Sequence, residues 1–311
     1  MPIHDRIYAR LEHPPRTRGT HPALAISRYT VHYILKGWLV RLVLFGGIIP
    51  VIVFAMMIYV AAQNENVVFR ALAAGGLTTG EIQSFAEVSG DSWYRLGANF
   101  VSMVLWVGSW VAMFMTAIAG AGQIADDMRS HAFEVYLARP MRSSDYVLGK
   151  LLTVMKPVLL VTLAPALLIL LIGHVLLPDS LASTLSLYPR VILLALIFSL
   201  VNACAILGIS SLGKSSRYAT IIWFVLNLGT FIAFGVLTTN TQNADFELVS
   251  YTVNHYIVAM SILDTELLPR LAPVDVLDPG RSPWPSIAIL ATISFLGLWM
   301  VSRRSRAGRL P

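Results

Sequence analysis

Six stretches of the chain run apolar for long enough to cross a bilayer core, which takes about 20 residues of helix. They are residues 39–62, 98–122, 151–177, 191–212, 219–237 and 283–301. Apolar residues follow one another in them without strict alternation. That excludes a membrane β-barrel, whose strands alternate over segments of about ten residues. Helix is expected, because each backbone N–H and C=O in lipid must be satisfied within its own segment. Two of the intervening stretches are long, 63–97 and 238–282. In the second, Val249, Val253, Tyr256, Ile257 and Met260 stand at near-helical spacing. They predict a helix that lies on the membrane or dips back into it, or else a surface helix in an ordinary loop. Residues 1–38 are mostly polar, and the run after them is too long for a signal-peptide core, so no signal peptide is expected. Residues 21–37 read as a short interfacial helix. In it Leu24, Ile26, Tyr29, Tyr33 and Leu35 alternate with Arg28, His32 and Lys36, side chains suited to the headgroup region.

Composition narrows the class. Of 311 residues, 56% are hydrophobic and 13% charged, with a mean hydropathy of +0.68; an average globular chain is about 25% charged. A soluble domain could not cover so much apolar surface with so few charges, and disordered chains are poor in apolar residues. The single cysteine, Cys204, excludes a disulfide framework and a Cys-rich metal site. Sixteen of the 23 Lys+Arg fall in 1–38, 123–150, 213–218 and 302–311, whereas the alternate loops hold four, Arg70, Arg95, Arg270 and Arg281. The positive-inside rule then places both termini in the cytoplasm and the two long stretches outside. Topology accounts for the net charge of +6, which leaves no basic soluble face for nucleic acid. The expected fold is an all-α polytopic membrane protein. It has a cytosolic segment 1–38 with an interfacial helix, a six-helix domain over 39–301, and a basic cytosolic tail 302–311.

The apolar runs are poor in chemistry. All 17 acids lie outside them or at their margins, so nothing there carries a proton or binds sodium through charge, as pumps and ion-coupled transporters do. Sodium binding by backbone and hydroxyl groups stays open. Lys156, followed by Pro157, reads as a side chain that snorkels to the headgroups. His174 and Cys204 each stand alone in an apolar run, and Met103, Met113 and Met115 read as core filler rather than copper ligands. No His-Glu-x-x-His, Gly-x-Ser-x-Gly or paired membrane acid marks a hydrolase. Gly208-Ile-Ser-Ser-Leu-Gly213-Lys214-Ser215 fits the phosphate-loop pattern at every position. That loop needs a strand before it and a soluble α/β domain around it. Here it caps one apolar run just before the next, and reads as a tight cytosolic turn anchored by Lys214 and Arg217. No catalytic, cofactor or metal site is expected on this chain.

The segment 123–150, between the second and third runs, looks like machinery. Read as helix from Gln123, it aligns Ile124, Met128, Ala132 and Val135 in one apolar stripe, with Asp126 and Arg129 as i, i+3 neighbours on the polar side. Pro140 disfavours helix at Arg139, and Ser143-Ser144-Asp145 supplies cap residues before the third span. The pattern predicts helix, break, cap, helix: a short amphipathic helix held between two spans and suited to docking in a groove of a soluble partner, or a loop helix that packs on its own spans.

The run Ile124-Ala125-Asp126-Asp127 through Glu134-Val135-Tyr136-Leu137-Ala138-Arg139-Pro140, then Arg142, Asp145-Tyr146 and Gly149-Lys150, resembles the cytosolic signature of type-2 ABC exporter permeases. The order of elements resembles that family over nearly the whole chain. His131-Ala132-Phe133-Glu134 departs from the family's frequent Gly-Thr before its Leu-Glu-like pair, and Asp126-Asp127 replaces its common single Glu. The resemblance implies a permease subunit of the cell's inner (cytoplasmic) membrane without its own ATPase. Two permease subunits, identical or different, would pack around a path for substrate. ATP and magnesium would sit on separate cytosolic ATPase chains, docked through Asp126, Asp127, Arg129, Phe133, Glu134 and Tyr136. Arg139-Pro140 would set the angle of the next span, and 238–282 would form an outer gate. The alternatives are a self-contained secondary transporter or channel, and a membrane scaffold for a soluble partner. No charged or aromatic pocket visible in the sequence selects a substrate.

Overall fold

A computed structural model of the chain describes residues 21–63, 92–130, 143–176, 184–241, 244–264 and 282–307. Apart from short turns these residues are helical: α1 (Pro22–Leu35), α2 (Trp38–Gln63), α3 (Ser92–Gly120), α4 (Ala125–Arg129), α5 (Ser143–Leu176) and α6 (Leu187–Ser210) come first. Next, α7 (Ser216–Phe224), a π-helical turn (Val225–Gly229) and α8 (Thr230–Thr241) form one continuous rod. A 3₁₀ turn (Ala244–Val249), α9 (Tyr251–Leu263) and α10 (Trp284–Ala307) complete the fold. Among the described residues, six helical stretches are long and apolar enough to cross a membrane, one for each predicted run. The architecture is that of a multi-pass helical membrane protein. The third span starts at Ser143 rather than near residue 151, because the polar turns before Leu151 continue the same helix.

α6 is the axis of the bundle. Every residue from Val201 to Gly208 is buried, as a helix surrounded on all sides must be. α3 and α5 pack along it, and α10 crosses it at a point without side chains. A Cβ added to Gly208 would lie 2.6 Å from Gly297 Cα, and one on Gly297 would collide with the Cys204 carbonyl. Small residues are what let membrane helices approach to backbone contact. α2, the α7–α8 rod and α10 keep much of their apolar surface on the outside, with Phe45, Ile49, Ile221, Ile232 and Phe295 exposed.

Hydrogen bonds identify the two ends of the bundle. At the basic end, α4 meets the end of α6, and Arg304 Nε of α10 donates to Ser211 O (3.2 Å). α1 lies here across the start of α5, and the expected alternation of its sequence resolves into two faces. Ala23 and Ser27 are buried and Ile34 and Leu35 pack on the core, while Leu24, Tyr29 and Tyr33 face outward beside Arg28, His32 and Lys36. Gly149 gives α1 its close seat, since a Cβ there would stand 3.2 Å from Ala23 O and from Ile26 Cβ.

α9 occupies the interior of the other half. Tyr251, at its start, rests edge-on against Trp223 (5.8 Å between ring centroids), and its hydroxyl donates to Asn202 Oδ1 (3.3 Å). Asn202 is eight residues from the end of α6, about 12 Å at the helical rise. Leu263, at the end of α9, is fully buried with Leu187 and Ala98 at the far end of the bundle. The 13 residues of α9 rise about 20 Å and cover that distance. α9 is packed inside the bundle rather than on its surface. Val253, Tyr256, Ile257 and Met260 are buried as their spacing predicts, and Val249 is exposed.

Candidate functional site

The most tightly built polar site lies where α3, α4 and α5 meet at the basic end. The helix expected from Gln123 begins only at Ala125, after a turn over residues 121–124. Two contacts account for the shift. Gln123 Nε2 donates back to Ala119 O (2.8 Å), closing the turn. Ser210, the last residue of α6, accepts from the N–H groups of both Ile124 and Ala125 (3.1 Å each) and donates to Ala121 O (2.7 Å). A hydroxyl from another helix thus does the work of an N-cap side chain. Ile124 is wholly buried and Met128 packs on the core, so the described half of the apolar stripe points inward as its spacing predicts. At the other end Ser130 Oγ donates to Asp126 O (2.8 Å) as the helix stops.

The two aspartates part company. Asp127 turns inward: Lys150 Nζ lies 2.7 Å from its Oδ2, and the Tyr146 hydroxyl donates to the same atom at 2.7 Å. Lys150 also donates to Gln123 Oε1 (3.3 Å) and stands over the Tyr146 ring. The side chains of Lys150 and Asp127 are 6% and 15% exposed. Gln123, Asp127, Tyr146 and Lys150 therefore close a network that fastens α4 to the first two turns of α5. Asp126 and Arg129 form the outward i, i+3 pair (3.4 Å), with side chains 46% and 70% exposed. His21, just before α1, approaches Asp145 (3.7 Å) and brings the interfacial helix to the same junction. Phe133, Glu134, Tyr136, Arg139 and Pro140 lie outside the described residues, as do Ala132 and Val135.

Ser210 was invisible as a functional residue, because it sits inside the phosphate-loop match. In the fold Gly208 is a helical residue against Gly297, helix rather than strand precedes the turn, and Lys214 and Arg217 are exposed. Removing this hydroxyl has a calculable effect. Ser210→Ala leaves two buried N–H groups and one carbonyl without their partner, at about 1–3 kcal/mol for an unsatisfied buried group. Faster amide exchange at Ile124 and Ala125, with α6 itself unchanged, is the expected result; equal protection in both proteins would show that α4 holds its place without Ser210.

The interior contains polar groups that the six runs did not announce. α9 carries Asn254 and His255 into the bundle, and its first turn meets the π turn of the fifth span. Tyr251 N–H donates to Thr230 Oγ1 (3.1 Å), and Asn227, buried in that turn, ties its Nδ2 to Trp223 O (3.0 Å). Trp223 Nε1 in turn donates to Met113 O (3.0 Å) across to α3. His174 is not alone: its ring nitrogens lie 3.3–3.4 Å from Thr184 Oγ1, and the ring stacks edge-on with Tyr188. Met113 and Met115 are buried core. Lys156 is exposed. No family model matches the chain, and no curated protein matches it.

Proposed function

We propose that the chain is the permease subunit of an ATP-driven ABC transporter, an exporter, whose ATPase is a separate cytosolic chain docked at α4. The observation that carries this reading is the fastening of α4. An amphipathic helix that served only to connect two spans would need neither the Asp127–Lys150–Tyr146 network on α5 nor the Ser210 hydroxyl of α6. Held on both sides, α4 passes a push from a partner to two spans as one body, the kind of rigid-body step that switching proteins use. Within the segment we assign Asp126 and Arg129 to the partner and Asp127 to the permease itself. We carry over Phe133, Glu134 and Tyr136 as further docking residues, and Arg139-Pro140 as the pair that would set the angle of the next span. ATP and magnesium belong to the partner, a second permease subunit completes the path for substrate, and the complex resides in the cytoplasmic membrane.

Gentle extraction of the tagged chain from its native membrane tests the reading. A near-equimolar soluble ATP-binding protein should accompany it and be lost from the Asp126→Lys/Arg129→Glu variant. Arg129 is exposed and Asp126 half-buried, with its Oδ1 enclosed, so the exchange should cost the permease itself about 1 kcal/mol, and its thermal unfolding should shift only modestly. Glu134→Lys should release the partner in the same way. A chain that purifies alone across several mild detergents would point to a secondary transporter or channel. A partner whose ATP hydrolysis ignores the permease would point to a scaffold.

A further inference from the structure

Arg28, His32 and Lys36 follow one another at four-residue steps along α1 and form one outward row, with Tyr29 and Tyr33 in the row beside it. From Arg28 to Lys36 the row runs about 12 Å at the helical rise. After a bend at Gly37, α2 continues it with Trp38 and Arg41, both exposed, and Arg41 Nη2 donates back to Lys36 O (3.2 Å). That bond holds a guanidinium at the end of α1. Residues 21–63 contain these three Lys/Arg and no Asp or Glu. Among the described residues no carboxylate pairs with any of the three, and the acid that meets this segment, Asp145, faces His21 instead. Three cations are thus gathered on one surface without countercharge. The same surface leads into the outward side of the first span, where Leu39, Leu42, Phe45 and Ile49 are exposed. The level at which a span enters the bilayer is the headgroup layer, and Tyr29, Tyr33 and Trp38 are the kind of rings enriched there. A zwitterionic headgroup offsets its phosphate with its own ammonium. An anionic one does not, and its charge is what the row lacks.

We propose that α1 and the first turn of α2 bind the headgroups of anionic phospholipids in the leaflet on which α1 lies. Phosphates meet Arg28, Lys36 and Arg41, the arginines with paired N–H groups, and acyl chains run along Trp38 and Leu42. Because α1 is seated on Gly149 across the start of α5, the bound lipids also hold the first turns of α5 at headgroup level. This surface does not rest on the ATP-driven reading.

The test places a bimane fluorophore on α1 through Tyr29→Cys; Cys204 is buried and leaves the label to the new site. The full-length chain is reconstituted in vesicles of phosphatidylglycerol and phosphatidylcholine in equal parts, with one lipid or the other carrying brominated, quenching chains. On α1 the quenching should report phosphatidylglycerol enriched about fivefold or more, since each cation near an anionic surface is worth about that factor. The same label at Ile232→Cys, on the outward side of α8, should not tell the two lipids apart. Arg28→Gln/Lys36→Gln/Arg41→Gln should bring the ratio on α1 close to one. Equal quenching by the two lipids with the cations in place would overturn the proposal whether or not the triple variant folds, and would leave the row to an acidic protein. Selectivity that survives the triple variant, or that is equally strong at Ile232→Cys, would overturn it too.

Discussion

Leucine in place of Gly208 is expected to prevent α6 and α10 from closing, with a loss of about 3 kcal/mol or more of stability and little folded protein recovered in detergent. Overpacking a core commonly costs about 1–3 kcal/mol when side chains can shift aside. Here they cannot, because the obstacle to a Cβ on Gly208 is the backbone of Gly297, 2.6 Å away. Even Gly208→Ala should be clearly destabilising. Gly173→Ala supplies the contrast: Gly173 is also helical, nothing lies within 4 Å of its missing Cβ, and alanine should add up to about 1 kcal/mol through helix propensity. Thermal unfolding of the purified variants ranks them. If Gly208→Ala and Gly173→Ala behave alike, α6 and α10 are not in backbone contact.

The second large effect is expected at Lys150. Lys150→Met removes the cation from the Asp127 carboxylate and leaves a mostly buried charge facing one tyrosine hydroxyl. Removing one member of a buried pair typically costs about 3–5 kcal/mol, whereas replacing both charges can come close to neutral. The double variant Asp127→Asn/Lys150→Met should therefore recover most of the stability lost by Lys150→Met alone. It should also leave the docking of α4 looser, since one hydrogen bond replaces an ion pair. Thermal unfolding of the single and double variants closes the cycle. Strict additivity would mean that the two side chains do not act as a pair.

Most of the bundle was legible in the chain because the bilayer leaves so few solutions. A long apolar run must be a helix, and all six runs are. Amphipathic spacing also predicted α1 and the inward stripe of Ile124 and Met128. What stayed illegible arises from contacts between segments far apart in sequence. Nothing around Ala125 indicates that its helix would start two residues late, because the reason is a serine 85 residues further on. Neither could the two neighbouring aspartates be told apart, since only the position of Lys150 turns one of them inward. An aromatic-lined cavity was missed for the same cause: Trp106, Phe198 and His255 come from three separate helices and form a pocket only once α9 is in place. His255 itself belongs to a stretch between spans, so a search of the apolar runs alone passes over this buried histidine.

The position of α9 dictates an order of assembly. A helix of 13 residues that carries Asn254 and His255 is too short and too polar to be released into lipid on its own, where about 20 apolar residues are needed. Its seat is made by α3, α6, α8 and the π turn, and one wall of it is α10, which follows it in the chain. The seat of α9 is therefore complete only once α10 is present, and α9 should take its final position after α10 has packed. Protection of its amides from exchange would then mark completed biogenesis, and a chain truncated before Trp284 should keep its first five spans yet leave those amides open.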